Sequence, residues 1–178
     1  MCYPTRRIEN SLLGTPLPDA EELLAALTDQ MRSHVGPDCG LIGIHTGGVW
    51  LAERLHHALG IKVPLGTLDV SFYRDDYRKI GLHRDVKPSE LPFEVEGRHL
   101  VLVDDVLYTG RTIRAALNEL FDYGRPASIR LAALVDRGGR ELPIAPQFVG
   151  AAITLAPGQS VELQRAGSRR LALVLHEA

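Results

Sequence analysis

Two adjacent acids, Asp104 and Asp105, directly follow the apolar run of residues 100–103. Such a run predicts a buried strand, and the ligands of open α/β sheets lie at the carboxyl ends of strands. Like-charged carboxylates repel each other, so the pair needs hydroxyl groups, a cation, or both as partners. The acids therefore predict a site for a sugar, for Mg²⁺, or for both.

The loop after the acids, residues 107–112, is typical of an anion-binding turn at the start of a helix. Backbone amides at a helix N-terminus converge on a phosphate, and the hydroxyls of Thr109 and Thr112 can assist them. Gly110 allows close approach of the backbone. The helix itself is indicated by apolar residues at helical spacing: Ile113, Ala116, Leu117, Leu120 and Phe121. These residues predict a phosphate site beside the carboxylates.

A second turn of the same kind consists of Thr46, Gly47 and Gly48. It follows the apolar run 39–45 and precedes a helical pattern that extends to Leu59. By itself it is either a simple tight turn or a second place where helix amides meet an anion. Because both turns follow parallel strands, we expect them at the same edge of the sheet.

Three segments carry a resemblance to a known family. Residues 101–113 resemble the 5-phosphoribosyl-1-pyrophosphate (PRPP) signature of the type I phosphoribosyltransferases. VDDVLYTGRT at 103–112, YRDD at 73–76 and LVDRGGRELPI at 134–144 resemble the PyrR family of bifunctional pyrimidine-operon regulators and uracil phosphoribosyltransferases, over roughly residues 20–151. The resemblance implies the reaction of PRPP with uracil to give UMP and pyrophosphate in pyrimidine salvage, with Mg²⁺ accompanying PRPP. It also implies at least a homodimer.

The resemblance further implies roles for individual residues. Asp104 and Asp105 hold the ribose hydroxyls and, directly or indirectly, the metal. PRPP and UMP are bound by Val106, Leu107, Tyr108, Thr109, Gly110, Arg111 and Thr112, and pyrophosphate by Thr46, Gly47 and Gly48. Arg74 opens a mobile lid and meets the departing pyrophosphate, unless it is an ordinary surface charge. Arg137 and Arg140 belong to residues 136–143, a turn that forms a hood over uracil, although Arg140 and Glu141 could equally form a surface pair.

Departures from the family pattern bear on specificity and on RNA. The family commonly has a basic residue at Gly47, so pyrophosphate contact falls to the backbone here. Tyr108 replaces the acid that purine enzymes tend to carry, which favours a pyrimidine.

The alternative function is an RNA-binding attenuator that senses UMP or PRPP, and it needs clustered basic residues. Ala145 and Ala151 stand where relatives tend to be basic. The remaining candidates are Arg125, Arg130, Arg140, Arg165, Arg169 and Arg170. A phosphoribosyltransferase for another base is a third reading.

The elements that must position these residues follow from pattern and composition. Strands alternating with helices predict a parallel sheet with helices on both faces, a type I phosphoribosyltransferase-like α/β fold with a small strand-rich hood. The 178 residues, 45% of them hydrophobic, suit a single domain, with residues 1–18 as an N-terminal arm and about 136–178 as hood and C-terminal strands. A net charge of −2 disfavours unselective binding of nucleic acid. Two isolated cysteines, no membrane-length apolar run and no signal-peptide pattern predict a cytoplasmic protein.

Overall fold

The computed structural model describes residues 17–70, 88–167 and 170–177. These residues form three helices and seven strands. In chain order they are α1 (Ala20–Arg32), β1 (Gly40–Ile44), α2 (Gly47–Leu59), β2 (Gly66–Leu68), β3 (His99–Leu107), α3 (Arg111–Asp122), β4 (Ser128–Asp136), β5 (Phe148–Ala152), β6 (Ser160–Ala166) and β7 (Arg170–His176). No helix in these ranges is long and apolar enough to cross a membrane.

Five parallel strands form the central sheet in the order β2-β1-β3-β4-β5. The pairing of β1 with β3 ends at Gly43 and Val103, whereas β4 accompanies β3 as far as Leu107 and Asp136. The last part of β3 therefore extends past β1 and toward the start of α2. This overhang is where the two acids lie.

Helices cover both faces of the sheet, as expected. Successive side chains of β3 point to opposite faces. Val101 packs in the same core cluster as Leu27 of α1 and Leu55 of α2. Leu102 packs on the other side, in a cluster with Leu120 of α3. The predicted α/β class, with a parallel sheet between two helical layers, is confirmed.

The β6–β7 hairpin is antiparallel and is attached to the start of α1. The Asp19 carboxylate caps α1 by accepting hydrogen bonds from the amides of Glu21 and Glu22 at 2.8 and 3.2 Å. These bonds, with a further one from Arg170 of β7, lower the pKa of the Asp19 carboxyl. Glu21 in turn accepts a hydrogen bond from the Leu171 amide at 2.9 Å. The cap of α1 thus also holds the hairpin.

Strand β3 is longer than its apolar run. The sequence predicts a strand that ends before the acids, but β3 continues through Asp104 and Asp105 to Leu107. The reason is β4, which offers backbone partners as far as Asp136. Both acids are therefore held by strand geometry and do not belong to a loop.

The strand-rich appendage is smaller than the sequence predicts for the region after residue 136. Strand β5 joins the central sheet beside β4, with Phe148 opposite Ala132, and only β6 and β7 form the separate hairpin. The close fit depends on Gly150, where an added Cβ atom would lie 2.5 Å from the Leu134 carbonyl oxygen. Short strands carry no periodicity that identifies the sheet they join.

Phe121 is an exception on the predicted apolar face of α3. Its exposed fraction is 56%, whereas Ile113 is buried. Eight residues of α-helix leave Phe121 rotated by about 80° from Ile113. The rotation carries the ring away from the sheet near the end of the helix.

Candidate active site

Asp104 and Asp105 lie at the carboxyl end of β3 and are only 4% and 5% exposed. The Asp104 carboxylate accepts a hydrogen bond from the Asp105 amide at 3.1 Å. No donor within the described residues hydrogen-bonds the Asp105 carboxylate. Burying a charged carboxylate without a hydrogen-bond donor is costly, so this carboxylate favours a hydroxyl group or a cation from a ligand as its partner.

The turn of Thr46, Gly47 and Gly48 lies directly beside Asp105 and is called the pyrophosphate turn after the role that the resemblance implies. A Cβ atom added at Gly47 would be 2.4 Å from Asp105 Oδ2. Gly47 begins α2, and negative charge is favourable at the N-terminus of a helix. The Asp105 carboxylate, which belongs to the unit of β3 and α3, therefore lies against the start of α2.

The pyrophosphate turn has no room for larger residues. A Cβ atom at Gly48 would be 2.4 Å from the Val103 carbonyl oxygen, and one at Gly43 would be 2.6 Å from Val49 Cα. Thr46 is the N-cap of α2 but makes no side-chain capping hydrogen bond. In this arrangement a side chain at position 47 would meet Asp105, so contact with an anion at this turn falls to the backbone amides.

Residues 107–112, called the phosphate loop after the role that the resemblance implies, form a helix start without a side-chain cap. Gly110 is the N-cap of α3 with φ of 94°, a conformation that favours glycine. The Thr109 hydroxyl accepts a hydrogen bond from the Arg111 amide at 3.2 Å. Gly110 has no side chain that could cap the first turn of α3. The amides of Thr112 and Ile113 therefore have no hydrogen-bond partner within the helix. Such amides can bind an anion.

Tyr108 and Arg137 stack at the outer side of the phosphate loop. The Arg137 guanidinium carbon lies 4.1 Å from the centroid of the Tyr108 ring, and Arg137 also donates to the Gln159 carbonyl oxygen at 3.0 Å. Gly139 lies against the ring edge, because a Cβ atom there would be 2.5 Å from Tyr108 Cε2. These contacts hold Arg137 at the edge of the sheet where the strands have their carboxyl ends, as the sequence predicts.

Arg140 belongs to residues 137–144, here called the hood loop. It forms an ion pair with Asp136 at 2.6 Å, so it does not form the surface pair with Glu141 that was the alternative. Glu141 instead accepts a hydrogen bond from Arg111 Nε at 2.9 Å. The Asp136–Arg140 pair was missed although its four-residue spacing was visible in the sequence. The Arg111–Glu141 pair joins residues 30 positions apart and has no local signal.

The structure brings most of the predicted site residues to one edge of the sheet. They are Asp104, Asp105, the pyrophosphate turn, residues 106–112, Arg137 and Arg140. Arg74 and the rest of the segment 73–76 lie outside the described residues. No group of three or more His, Cys, Asp or Glu side chains suited to a metal ion occurs in the described ranges. Asp104 and Asp105 are the pair that could share a metal with ligand oxygens.

Comparisons with known proteins agree with this geometry. The family model described as phosphoribosyl transferase domain matches residues 18–162. A protein named Bifunctional protein PyrR from Pseudomonas syringae pv. syringae (strain B728a) is 54% identical over 165 residues, 90% of this chain and 96% of the relative. One of the same name from Pseudomonas aeruginosa (strain LESB58) is 57% identical over 152 residues, 83% of this chain and 89% of the relative.

Solved structures with a similar fold come from purine enzymes. A hypoxanthine-guanine phosphoribosyltransferase from Bacillus anthracis str. 'Ames Ancestor' has a TM-score of 0.62 at 18% identity, over 82% of this chain and 85% of that one. The HGPRT-ase of Leishmania tarentolae, in complex with GMP, has a TM-score of 0.60 at 19% identity, over 80% and 83%. At these identities the likeness concerns the fold.

Proposed function

Because the chain belongs to the phosphoribosyltransferase family, and within it to the PyrR proteins, we propose that it transfers the 5-phosphoribosyl group of PRPP to N1 of uracil. The products are UMP and pyrophosphate. The observation that carries the proposal is the buried Asp104–Asp105 pair between two helix starts. Carboxylates suit ribose hydroxyls, and the helix starts suit the phosphates at either end of PRPP.

The arrangement assigns a task to each part of the edge. The amides and hydroxyls of the phosphate loop hold the 5′-phosphate, and the two carboxylates hold the 2′- and 3′-hydroxyls. As the bond from C1′ to pyrophosphate breaks, the sugar gains positive charge, which the nearby Asp105 carboxylate stabilises. The bond from uracil N1 to C1′ then forms, and the N1 proton is lost. Positioning and exclusion of water supply the rest of the rate.

The donor set at this edge fits Mg²⁺ that arrives with PRPP. Mg²⁺ is usually held by one or two carboxylates together with substrate phosphates and water. Asp104 and Asp105 supply such a pair, and a third acidic or histidine ligand is not grouped with them in the described part of the chain. When bound, Mg²⁺ neutralises charge on the departing pyrophosphate.

Two features support uracil as the base. The PyrR relatives share more than half of the sequence over most of their length. Tyr108, stacked with Arg137, stands where purine enzymes tend to have an acid that handles the purine ring. We expect the base to lie under the hood loop beside this stack, with Arg74 closing over the pyrophosphate.

An Asp105→Asn variant tests the assigned task of the acid pair. Loss of one preorganised charge-stabilising group lowers kcat by about 10²–10³-fold. We expect that loss in UMP formation with an unchanged melting temperature. The matched control is Asp122→Asn at the exposed end of α3, which should keep the parent rate. Parent-like kcat in Asp105→Asn would contradict the assignment.

Regulation by RNA binding is the second candidate, and the word "bifunctional" in the relatives' name favours it. Its basic residues are partly occupied, because Arg140, Arg165 and Arg170 form ion pairs with Asp136, Glu53 and Asp19. Binding of the pyrimidine-gene leader RNA, with and without UMP over a salt range, tests it. A steep salt dependence with sequence preference supports RNA binding, and weak binding without sequence preference opposes it.

A further inference from the structure

Arg140 is the centre of a contact network between the hood loop and the phosphate loop. Its Nη2 donates to Asp136 Oδ2 at 2.6 Å, and its Nε donates to the Ile144 carbonyl oxygen at 3.0 Å. Its Nη1 donates to the carbonyl oxygens of Tyr108 and Gly138. The guanidinium thus contacts the end of β4, both ends of the hood loop and the phosphate loop at once.

Backbone contacts join the same two loops. The amides of Glu141 and Leu142 both donate to the Thr109 carbonyl oxygen, at 3.0 and 3.2 Å. Ile144 packs over Gly110, where an added Cβ atom would be 3.3 Å from Ile144 Cδ1. The loops therefore form one hydrogen-bonded unit, and a shift of the phosphate-loop backbone must be transmitted to the hood loop.

The donor count at Arg140 argues against direct recognition of a base. An arginine has five N–H donors. At Arg140, four hydrogen bonds to protein oxygens occupy four of them. The side chain is only 22% exposed and is charge-paired with Asp136. Its geometry suits holding two loops together.

We propose that Arg140 is a positioning residue that couples occupancy of the phosphate loop to the conformation of the hood loop. A phosphorylated ribose at residues 107–112 then orders the hood loop for the base. The proposal rests on the proposed function for the binding of a ribose phosphate at the phosphate loop and for the identity of the base as uracil. Coupling between two sites typically changes affinity by about 5–150-fold, and we expect a change of about tenfold here.

Hydrogen exchange with ribose 5-phosphate as the probe tests the coupling without any base. In the parent, saturating ribose 5-phosphate should slow exchange of the Glu141 and Leu142 amides by about tenfold, because tighter loops open less often. In Arg140→Gln the slowing should fall below about twofold while ribose 5-phosphate still binds. The matched control is Arg32→Gln, an exposed arginine of α1, which should behave as the parent. No slowing in the parent, or full slowing in Arg140→Gln, would overturn the proposal.

A second measurement separates positioning from direct contact. Uracil affinity is measured with and without ribose 5-phosphate, and the ratio of the two affinities is the coupling. We expect Arg140→Gln to bring this ratio close to one. A residue that touches uracil would instead weaken both affinities equally and leave the ratio unchanged, which would count against positioning.

Folding and the identity of the base are controlled separately. If Arg140→Gln melts below the assay temperature, Arg140→Lys replaces it, since lysine keeps the charge beside Asp136 but lacks the planar fork. Arg140→Lys should keep less than half of the parent's slowing, and full slowing in it would oppose the proposal. If the parent binds no uracil, the proposed base is wrong, and the exchange result alone decides the role of Arg140.

Discussion

The turn before α2 and the turn before α3 share one edge of the sheet and one order of elements, but their glycines are needed for different reasons. In the pyrophosphate turn both glycines are crowded by β3, since a Cβ atom would lie 2.4 Å from Asp105 Oδ2 at Gly47 and 2.4 Å from the Val103 carbonyl oxygen at Gly48. In the phosphate loop, Gly110 is required by its φ of 94°. The first turn is closed against Asp105 and the sheet, whereas the second is packed against the hood loop. Substitutions in the two turns should therefore fail in different ways.

Gly48→Ala should have the largest effect, and it should act on stability. Its Cβ atom would meet the Val103 carbonyl oxygen, which belongs to the central strand and cannot rotate away. Overpacking against backbone costs about 3 kcal/mol, so urea unfolding should show a loss of that size. Gly36→Ala is the matched control, because nothing lies within 4 Å of a Cβ atom there. Equal stabilities of the two variants would mean that the turn is not closed against β3.

Gly47→Ala should affect activity more than stability. Its Cβ atom would lie 2.4 Å from Oδ2 and 2.9 Å from Cβ of Asp105, so the carboxylate must rotate away and the two backbones must move slightly apart. The displaced carboxylate loses its place beside the sugar, and kcat should fall by about 10–100-fold, a fraction of the full electrostatic effect. Steady-state kinetics and a thermal melt measure both quantities. A normal kcat would show that Asp105 need not lie against α2.

Thr109→Val should weaken PRPP binding at the phosphate loop. Valine keeps the size of the side chain but removes the hydroxyl that accepts a hydrogen bond from the Arg111 amide within the phosphate loop. One lost hydrogen bond is worth about 1–1.5 kcal/mol, which predicts a KM for PRPP about tenfold higher. Thr109→Ser retains the hydroxyl and should stay near the parent value. If the serine variant is as poor as the valine variant, the hydroxyl is not the cause.

Glu141→Gln should have the smallest effect. The ion pair of Glu141 with Arg111 is more than half exposed on both sides, and exposed pairs contribute about 0.5 kcal/mol or less. The backbone bonds of the hood loop to Thr109 remain in this variant. Urea unfolding should therefore change little. A loss above about 1.5 kcal/mol would show that this pair, and not the backbone, holds the two loops together.

The sequence was most informative where chemistry is local. The acid pair, the TGRT turn and the two helix starts lie where their spacing predicts, because each is set by a strand, a turn and a helix that follow one another. The extent of β3 through Leu107 was not predictable from its own residues, since it depends on β4 as a partner.

Contacts distant in sequence account for the rest. The assignment of β5 to the central sheet depends on the fit of Gly150 against Leu134. The connection of the hood loop to the phosphate loop depends on carbonyl oxygens, which no residue type reveals. Only the four-residue spacing of Asp136 and Arg140 offered a signal for it.

The central claim is that this edge transfers a phosphoribosyl group from PRPP to uracil, and product formation tests it most directly. The protein is incubated with PRPP and Mg²⁺ and, in parallel, with uracil, orotate, hypoxanthine or guanine, and nucleotide and pyrophosphate are quantified. The account predicts equal amounts of UMP and pyrophosphate with uracil and little product with the other three bases. No pyrophosphate with any base, or faster turnover of another base than of uracil, would contradict it.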